Sequence, residues 1–198
     1  MAWLRKKNEI SDFKPDVNRA TWLKTTRLTQ LQRLRLTKWS FYILTLVMAL
    51  VIQDTILSQF RILGATTDLA VCVILLITVL EGTEVGTTFV LPASLFYYFS
   101  GSAPNALCVF LLTFLGGAAT MLRQLYWHRS KGSVLLCTAI ALVCYELSLF
   151  VVGLMGELTR VGRFGSFLMT GIYSSLLLIP LYPLIHRIGL IGGNTWKE

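Results

Sequence analysis

The chain reads as an all-α integral membrane protein, with six transmembrane helices in a single bundle and both termini cytoplasmic. Three observations predict this. Of its 198 residues, 55% are hydrophobic and only 14% charged, against about 25% charged in an ordinary soluble domain. The mean hydropathy is +0.65. The apolar residues also gather into long runs, and the length suits six spans of roughly 20 residues joined by short loops. This composition excludes a disordered chain, a coiled coil, a nucleic-acid-binding domain and a multidomain enzyme.

The net charge of +8 is concentrated at one end. Residues 1–38 carry ten Lys or Arg against Glu9, Asp12 and Asp16. We read 1–38 as a basic cytoplasmic N-terminal tail, 39–190 as the six-helix transmembrane domain and 191–198 as a short cytoplasmic C-terminal tail. Projected on a helix, Lys24, Arg27, Arg35 and Lys38 fall among Leu23, Leu28, Leu31 and Leu34, so the faces are mixed. A polybasic segment beside a span attracts anionic lipid, at about 1 kcal/mol per basic residue. Lys24, Arg27, Arg33, Arg35 and Lys38 are therefore lipid-headgroup candidates, and docking of the tail to a cytoplasmic protein is the other reading.

The first span covers about residues 39–57. Its long basic lead, with no small-x-small pattern behind it, is unlike a cleaved signal peptide, so the run is expected to stay as a span. The second and third, at 68–80 and 85–99, are short for a hydrocarbon layer about 30 Å thick. Only residues 81–84 separate them, which predicts a tight helical hairpin, with a re-entrant pair of half-spans as the alternative. The fourth, fifth and sixth cover about 104–122, 132–155 and 165–188. With the N-terminus inside, fifteen basic residues are cytoplasmic and three are outside, which sets the orientation.

Ionisable side chains inside spans are the informative minority, because each costs about 2.5–3.5 kcal/mol at a helix centre. Glu146 is the deepest, in Leu142-Val-Cys-Tyr-Glu-Leu-Ser148. It is expected to face the bundle interior, near Tyr145 or Ser148. An ion or partner contact and a protonated or internally hydrogen-bonded structural carboxylate both stay open for it. Gln53 and Asp54 lie low in the first span. Asp68 opens the second, where a carboxylate caps a helix start and favours its dipole. Glu81 and Glu84 sit at the cytoplasmic end of the hairpin, where they need no partner. Arg123 is placed to snorkel to the inner surface.

Gly82 and Gly86 form a GxxxG spacing, and Gly116-Gly117 is expected to break the fourth span. Small residues let helices approach closely in lipid, where packing drives association. Pro92, Pro180 and Pro183 are expected to kink their helices. Cys72, Cys108, Cys137 and Cys144 read as packing residues without CxxC pairing. His128 and His186 are isolated. HExxH, GxSxG and GxxxxGK[ST] are all absent, so no catalytic residue, metal site or cofactor is assigned.

The order of these features resembles the MreD family of rod shape-determining membrane proteins. A Leu-Gln-x-x-x-Leu element of that family corresponds to Ile52-Gln53-Asp-Thr-Ile-Leu57. Its outside turn ending in Pro-Asp-Leu corresponds to Arg61-Ile-Leu-Gly-Ala-Thr-Thr67-Asp68-Leu69, with Thr67 in place of proline. Glu81-Gly82 and Gly86, Leu115-Gly116-Gly117, Tyr173-Ser174 (a Tyr-Asn element in the family) and Pro180-Leu-Tyr182 continue the likeness to about Arg187. The chain departs from it late in the third span, where Ser94, Tyr97 and Tyr98 replace glycines and an aspartate, and in its long tail.

The resemblance implies a non-enzymatic scaffold or regulator of bacterial rod shape and lateral peptidoglycan elongation, in the cytoplasmic membrane. It implies binding to an MreC-like single-span protein. Through it the chain would reach MreB filaments and a RodA-type glycosyltransferase with its penicillin-binding partner. It also implies a fold like that of energy-coupling-factor transporter substrate-binding subunits. Partner or helix-packing candidates are then Gln53, Asp68, Gly82, Gly86, Gly116, Gly117, Glu146 and Tyr173. The alternative function is a vitamin-uptake subunit of that transporter type, which requires an outward-facing polar pocket. An intramembrane enzyme is the third reading.

Overall fold

Short polar breaks between the apolar runs leave six helices in a computed structural model that describes residues 30–57, 59, 66–126 and 130–191. Among the described residues the regular structure is entirely helical. In order, the helices are α1 (Gln30–Ile52), α2 (Leu69–Glu81), α3 (Thr83–Phe99), α4 (Leu107–Tyr126), α5 (Lys131–Met155) and α6 (Phe164–Gly189). A π-helical turn, Gln53–Leu57, extends α1, and a short 3-10 turn, Val161–Arg163, leads into α6.

Four segments are long and apolar enough to cross a membrane: Gln32–Leu57, Leu107–Leu125, Lys131–Met155 and Val161–Gly189. Their outward faces carry exposed Ile43, Leu44 and Met48 on α1, Phe110 and Phe114 on α4, and Leu176 and Ile179 on α6. A surface so apolar suits lipid, which is no more hostile to leucine than a protein core is.

The hairpin differs from these four. α2 has 13 residues, about 20 Å at 1.5 Å per residue. It packs against all five other helices, and every residue from Ala70 to Val79 is fully buried. Such enclosure explains why its sequence is hydrophobic on all sides, with Val, Ile and Leu around the full circumference. Shielded by its neighbours, α2 needs no thinning of the bilayer, contrary to what its length alone suggests. Both arms of the hairpin run the full distance between the two polar ends of α2, because Tyr97 at the end of α3 returns to Asp68 at the start of α2.

Several boundaries move. α1 begins at Gln30, upstream of the expected boundary at residue 39, so the last part of the expected tail is continuous with the first helix. α4 runs unbroken through Gly116 and Gly117, contrary to expectation, because a single Gly pair costs about 1 kcal/mol per residue and packing offsets it. α3 and α6 each continue as one helix through Pro92 and through Pro180 and Pro183.

Candidate functional site

The polar residues of the core gather at the two ends of α2. At its N-terminus, the Ala70 amide donates to Gln53 Oε1 at 2.8 Å. A helix leaves its first amides unpaired, and here a side chain from α1's π turn supplies the acceptor. Asp68 precedes α2 but makes no side-chain capping bond, which corrects the capping role expected from sequence. Its carboxylate lies among Tyr97, Gln53 and the Val71 amide. The Tyr97 hydroxyl donates to Asp68 Oδ2 at 2.8 Å, while Oδ1 is buried without a partner. The Asp68 amide donates to Ser174 Oγ at 3.0 Å, and the Cys72 thiol donates to the Ser174 carbonyl at 3.2 Å. Ser102 Oγ donates to both Asp54 oxygens, at 3.0 and 3.1 Å.

At the C-terminus of α2, Lys38 Nζ lies 2.6 Å from Glu81 Oε1 and donates to Oε2 at 2.8 Å. Tyr42 donates its hydroxyl to Glu81 Oε1. The Lys38 ammonium sits 5.8 Å from the centre of the Tyr42 ring, and Trp39, Tyr42 and Phe89 pack against one another. The Lys38 and Glu81 side chains are 8% and 1% exposed, so this is a buried ion pair. Two expectations are corrected: Lys38 does not face lipid headgroups, and Glu81 has a partner. The reason is antiparallel packing, which sets Lys38, the last basic residue before α1's apolar run, beside Glu81 at the end of α2. Arg123, half-buried, donates to the Val79 carbonyl. Cations at this end and carboxylates at the other complement the dipole of α2.

The glycines act differently from one another. Gly82 alone joins α2 to α3 and adopts φ 88°, ψ −175°, a region essentially restricted to glycine. Gly86 is the close-approach residue, where a Cβ would collide with the Thr78 carbonyl. Gly116 packs between Val90 and Thr78, at 3.1 and 3.3 Å from a Cβ position. Gly117 has only Thr87 nearby, at 3.7 Å. The GxxxG spacing thus combines one hinge with one packing contact.

Glu146 is buried, 4% exposed, as expected. It makes no hydrogen bond or ion pair among the described residues, whereas Ser148 donates to the Cys144 carbonyl and the Tyr145 hydroxyl is unpartnered. Glu146 faces a polar cavity of about 610 Å³ at the α2 N-terminal end, together with Gln53, Thr67, Asp68, Tyr97 and Arg163. Tyr173 is half-buried and its neighbour Ser174 makes the contacts. Arg33 and Arg35 are exposed on α1. Lys24 and Arg27 lie outside the described residues, as do the tail up to residue 29 and residues 192–198.

Sequence reasoning missed Lys38, Tyr42, Glu81, Tyr97 and Ser174 as members of these clusters. One signal was available. Lys38 to Gln53 and Asp68 to Glu81 span about 22 Å and about 20 Å as helix, so antiparallel pairing brings both polar ends into register. Compared with protein-family models, with curated proteins and with solved structures, the chain matches none.

Proposed function

We propose that this chain is an MreD-like, non-enzymatic membrane scaffold that supports rod shape and lateral peptidoglycan elongation by binding an MreC-like single-span protein. In this reading the chain crosses the bacterial cytoplasmic membrane six times with both termini inside. The basic start of α1, with Arg33 and Arg35, meets anionic lipid. MreB filaments and the RodA-type synthase with its penicillin-binding partner are reached directly or through the MreC-like protein.

The supporting observation is convergence of the residues on which the resemblance rests. Gln53, Asp68 and Ser174 come from three distant parts of the chain and join in one knot around the start of α2. Gly82 and Gly86 turn and seat the same helix. These positions therefore organise a single buried helix, around which four apolar helices offer faces to lipid or to a partner's span.

A specific observation favours a second reading, a vitamin-uptake subunit of the energy-coupling-factor type. That function requires a polar pocket on the outer side, and the cavity beside Asp68 and Glu146 opens outward when the N-terminus is cytoplasmic. One experiment separates the two readings. The tagged chain is purified from its native membrane in mild detergent, and the proteins that accompany it are identified by mass spectrometry. A single-span, coiled-coil, MreC-like protein is the expected companion. Recovery of a transmembrane coupling protein with paired ATPases would overturn the scaffold in favour of uptake.

A further inference from the structure

α5 and α6 reach well past the start of α2. Glu146 of α5 lines the cavity with Asp68, and Ser174 of α6 accepts from the Asp68 amide, so both lie level with that start. α5 continues from Glu146 to Met155, and α6 begins at Phe164, which carries both arms about 14 Å beyond the level at 1.5 Å per residue. By contrast, α1's π turn stops at Leu57, a turn past Gln53, and α3 stops at Phe99, just past Tyr97. From Lys131 to Met155, α5 measures about 36 Å, roughly 6 Å more than a hydrocarbon layer of about 30 Å. With the start of α5 at one face of that layer, Met155 and the connection after it stand in the headgroup region of the opposite leaflet.

The tip of this hairpin has an unusual surface. Met155, Leu158 and Val161 are 82%, 78% and 71% exposed, more than Ile43, Leu44 and Met48 on the outward face of α1. Arg160 is exposed among them, and Arg163 follows at the rim of the cavity. These are two of the three basic residues on the side away from the N-terminus, where topology disfavours basic residues. The backbone is held in place. The Leu158 and Thr159 amides both donate to the Gly153 carbonyl, at 2.9 and 3.1 Å, and a Cβ on Gly153 would meet Thr159 Oγ1 at 2.7 Å. Large apolar side chains fixed on an exposed surface mark a contact with a membrane or a protein. Their mixture with arginine selects the boundary between acyl chains and headgroups, where apolar groups enter the leaflet and a guanidinium pairs with phosphate.

We propose that the α5–α6 tip is a membrane-surface anchor, in which Met155, Leu158 and Val161 enter the leaflet opposite the N-terminus and Arg160 pairs with phospholipid phosphate. The inference rests on the reading that the chain crosses a bilayer. It is independent of which protein accompanies the chain.

The test uses the full chain with the exposed Cys144 replaced by serine and a nitroxide on Leu158→Cys, a change confined to an exposed side chain. The labelled chain is reconstituted into vesicles of phosphatidylcholine and phosphatidylglycerol. Collisions of the label with a water-soluble nickel chelate, and with oxygen, which partitions into lipid, report its depth. The expected nickel collision rate is about tenfold below that of the same label on free glutathione, with oxygen favoured over nickel. Arg160→Gln should raise the nickel rate about twofold through loss of the phosphate contact. A nickel rate within about twofold of free glutathione's overturns the anchor and leaves the tip open to a partner's extramembrane domain. A rate unchanged by Arg160→Gln overturns the phosphate contact. A chain that does not float with the vesicles overturns the membrane-crossing reading and the anchor with it, whereas a water-exposed label on a floating chain overturns the anchor alone.

Discussion

Lys38 of α1 and Glu81 of α2 meet at 2.6 Å with both side chains almost wholly buried. Each partner offsets part of the cost of burying the other, and Tyr42 supplies a further donor to the carboxylate. Breaking a buried pair from one side leaves an uncompensated charge, at about 3–5 kcal/mol, whereas replacing both partners by apolar residues of similar volume is often neutral. Lys38→Met alone and Glu81→Leu alone should therefore lower the thermal midpoint in detergent sharply. The double variant should recover most of the loss. If the double variant is as unstable as the sum of the singles, the pair is not coupled.

The hairpin glycines should separate by mechanism. Gly86→Ala places a methyl group against the Thr78 backbone, where no side chain is able to move aside, and should cost about 1–3 kcal/mol or more through overpacking. Gly82→Ala should cost about 1–3 kcal/mol through backbone strain. Gly117→Ala, whose nearest neighbour is 3.7 Å away, should be tolerated. Gly82→Leu and Gly86→Leu should weaken partner assembly as well, read by co-purification. Normal co-purification of both leucine variants would remove the close-approach argument.

Gln53, not Asp68, caps the central helix. Gln53→Ala should lose about 1 kcal/mol, the ordinary worth of a cap. Asp68→Asn should cost less, since an amide oxygen still accepts from Tyr97. Thermal unfolding of the two variants side by side checks the order, and a reversed ranking would restore the cap to Asp68.

The basic tail is expected to be dispensable for insertion. Removing residues 1–29 leaves Arg33 and Arg35 exposed at the start of α1, and basic residues within about 15–20 positions of a span set its orientation. Labelling of single cysteines from either side of the membrane should give an unchanged topology. Inversion would show that the removed residues carry the orientation signal.

Most of the helices were legible in the sequence, because continuous apolar runs bounded by Gly, Pro and charged residues leave few alternatives to helix. The placement of Gly82 at the hairpin turn, the interior position of Glu146 and the packing of Gly116 followed from the same reading. Length and composition could not rank the helices. α2 looked like an undersized span, yet it is the helix every other one packs against. Nor could they separate Gly82, which needs a rare φ, from Gly86, which needs space.

The polar residues divide along the same line. Sequence alone determined that carboxylates and amides inside apolar runs have to be sheltered, since each is costly in lipid. It also pointed to Gly82 at the hairpin turn. Only the tertiary structure decided the partners: Lys38 with Glu81, Gln53 with the Ala70 amide, Tyr97 with Asp68. Those contacts join residues on different helices, and their identity depends on the antiparallel register of α1, α2 and α3. Register is set by how whole helices pack, a property that no local run of residues encodes.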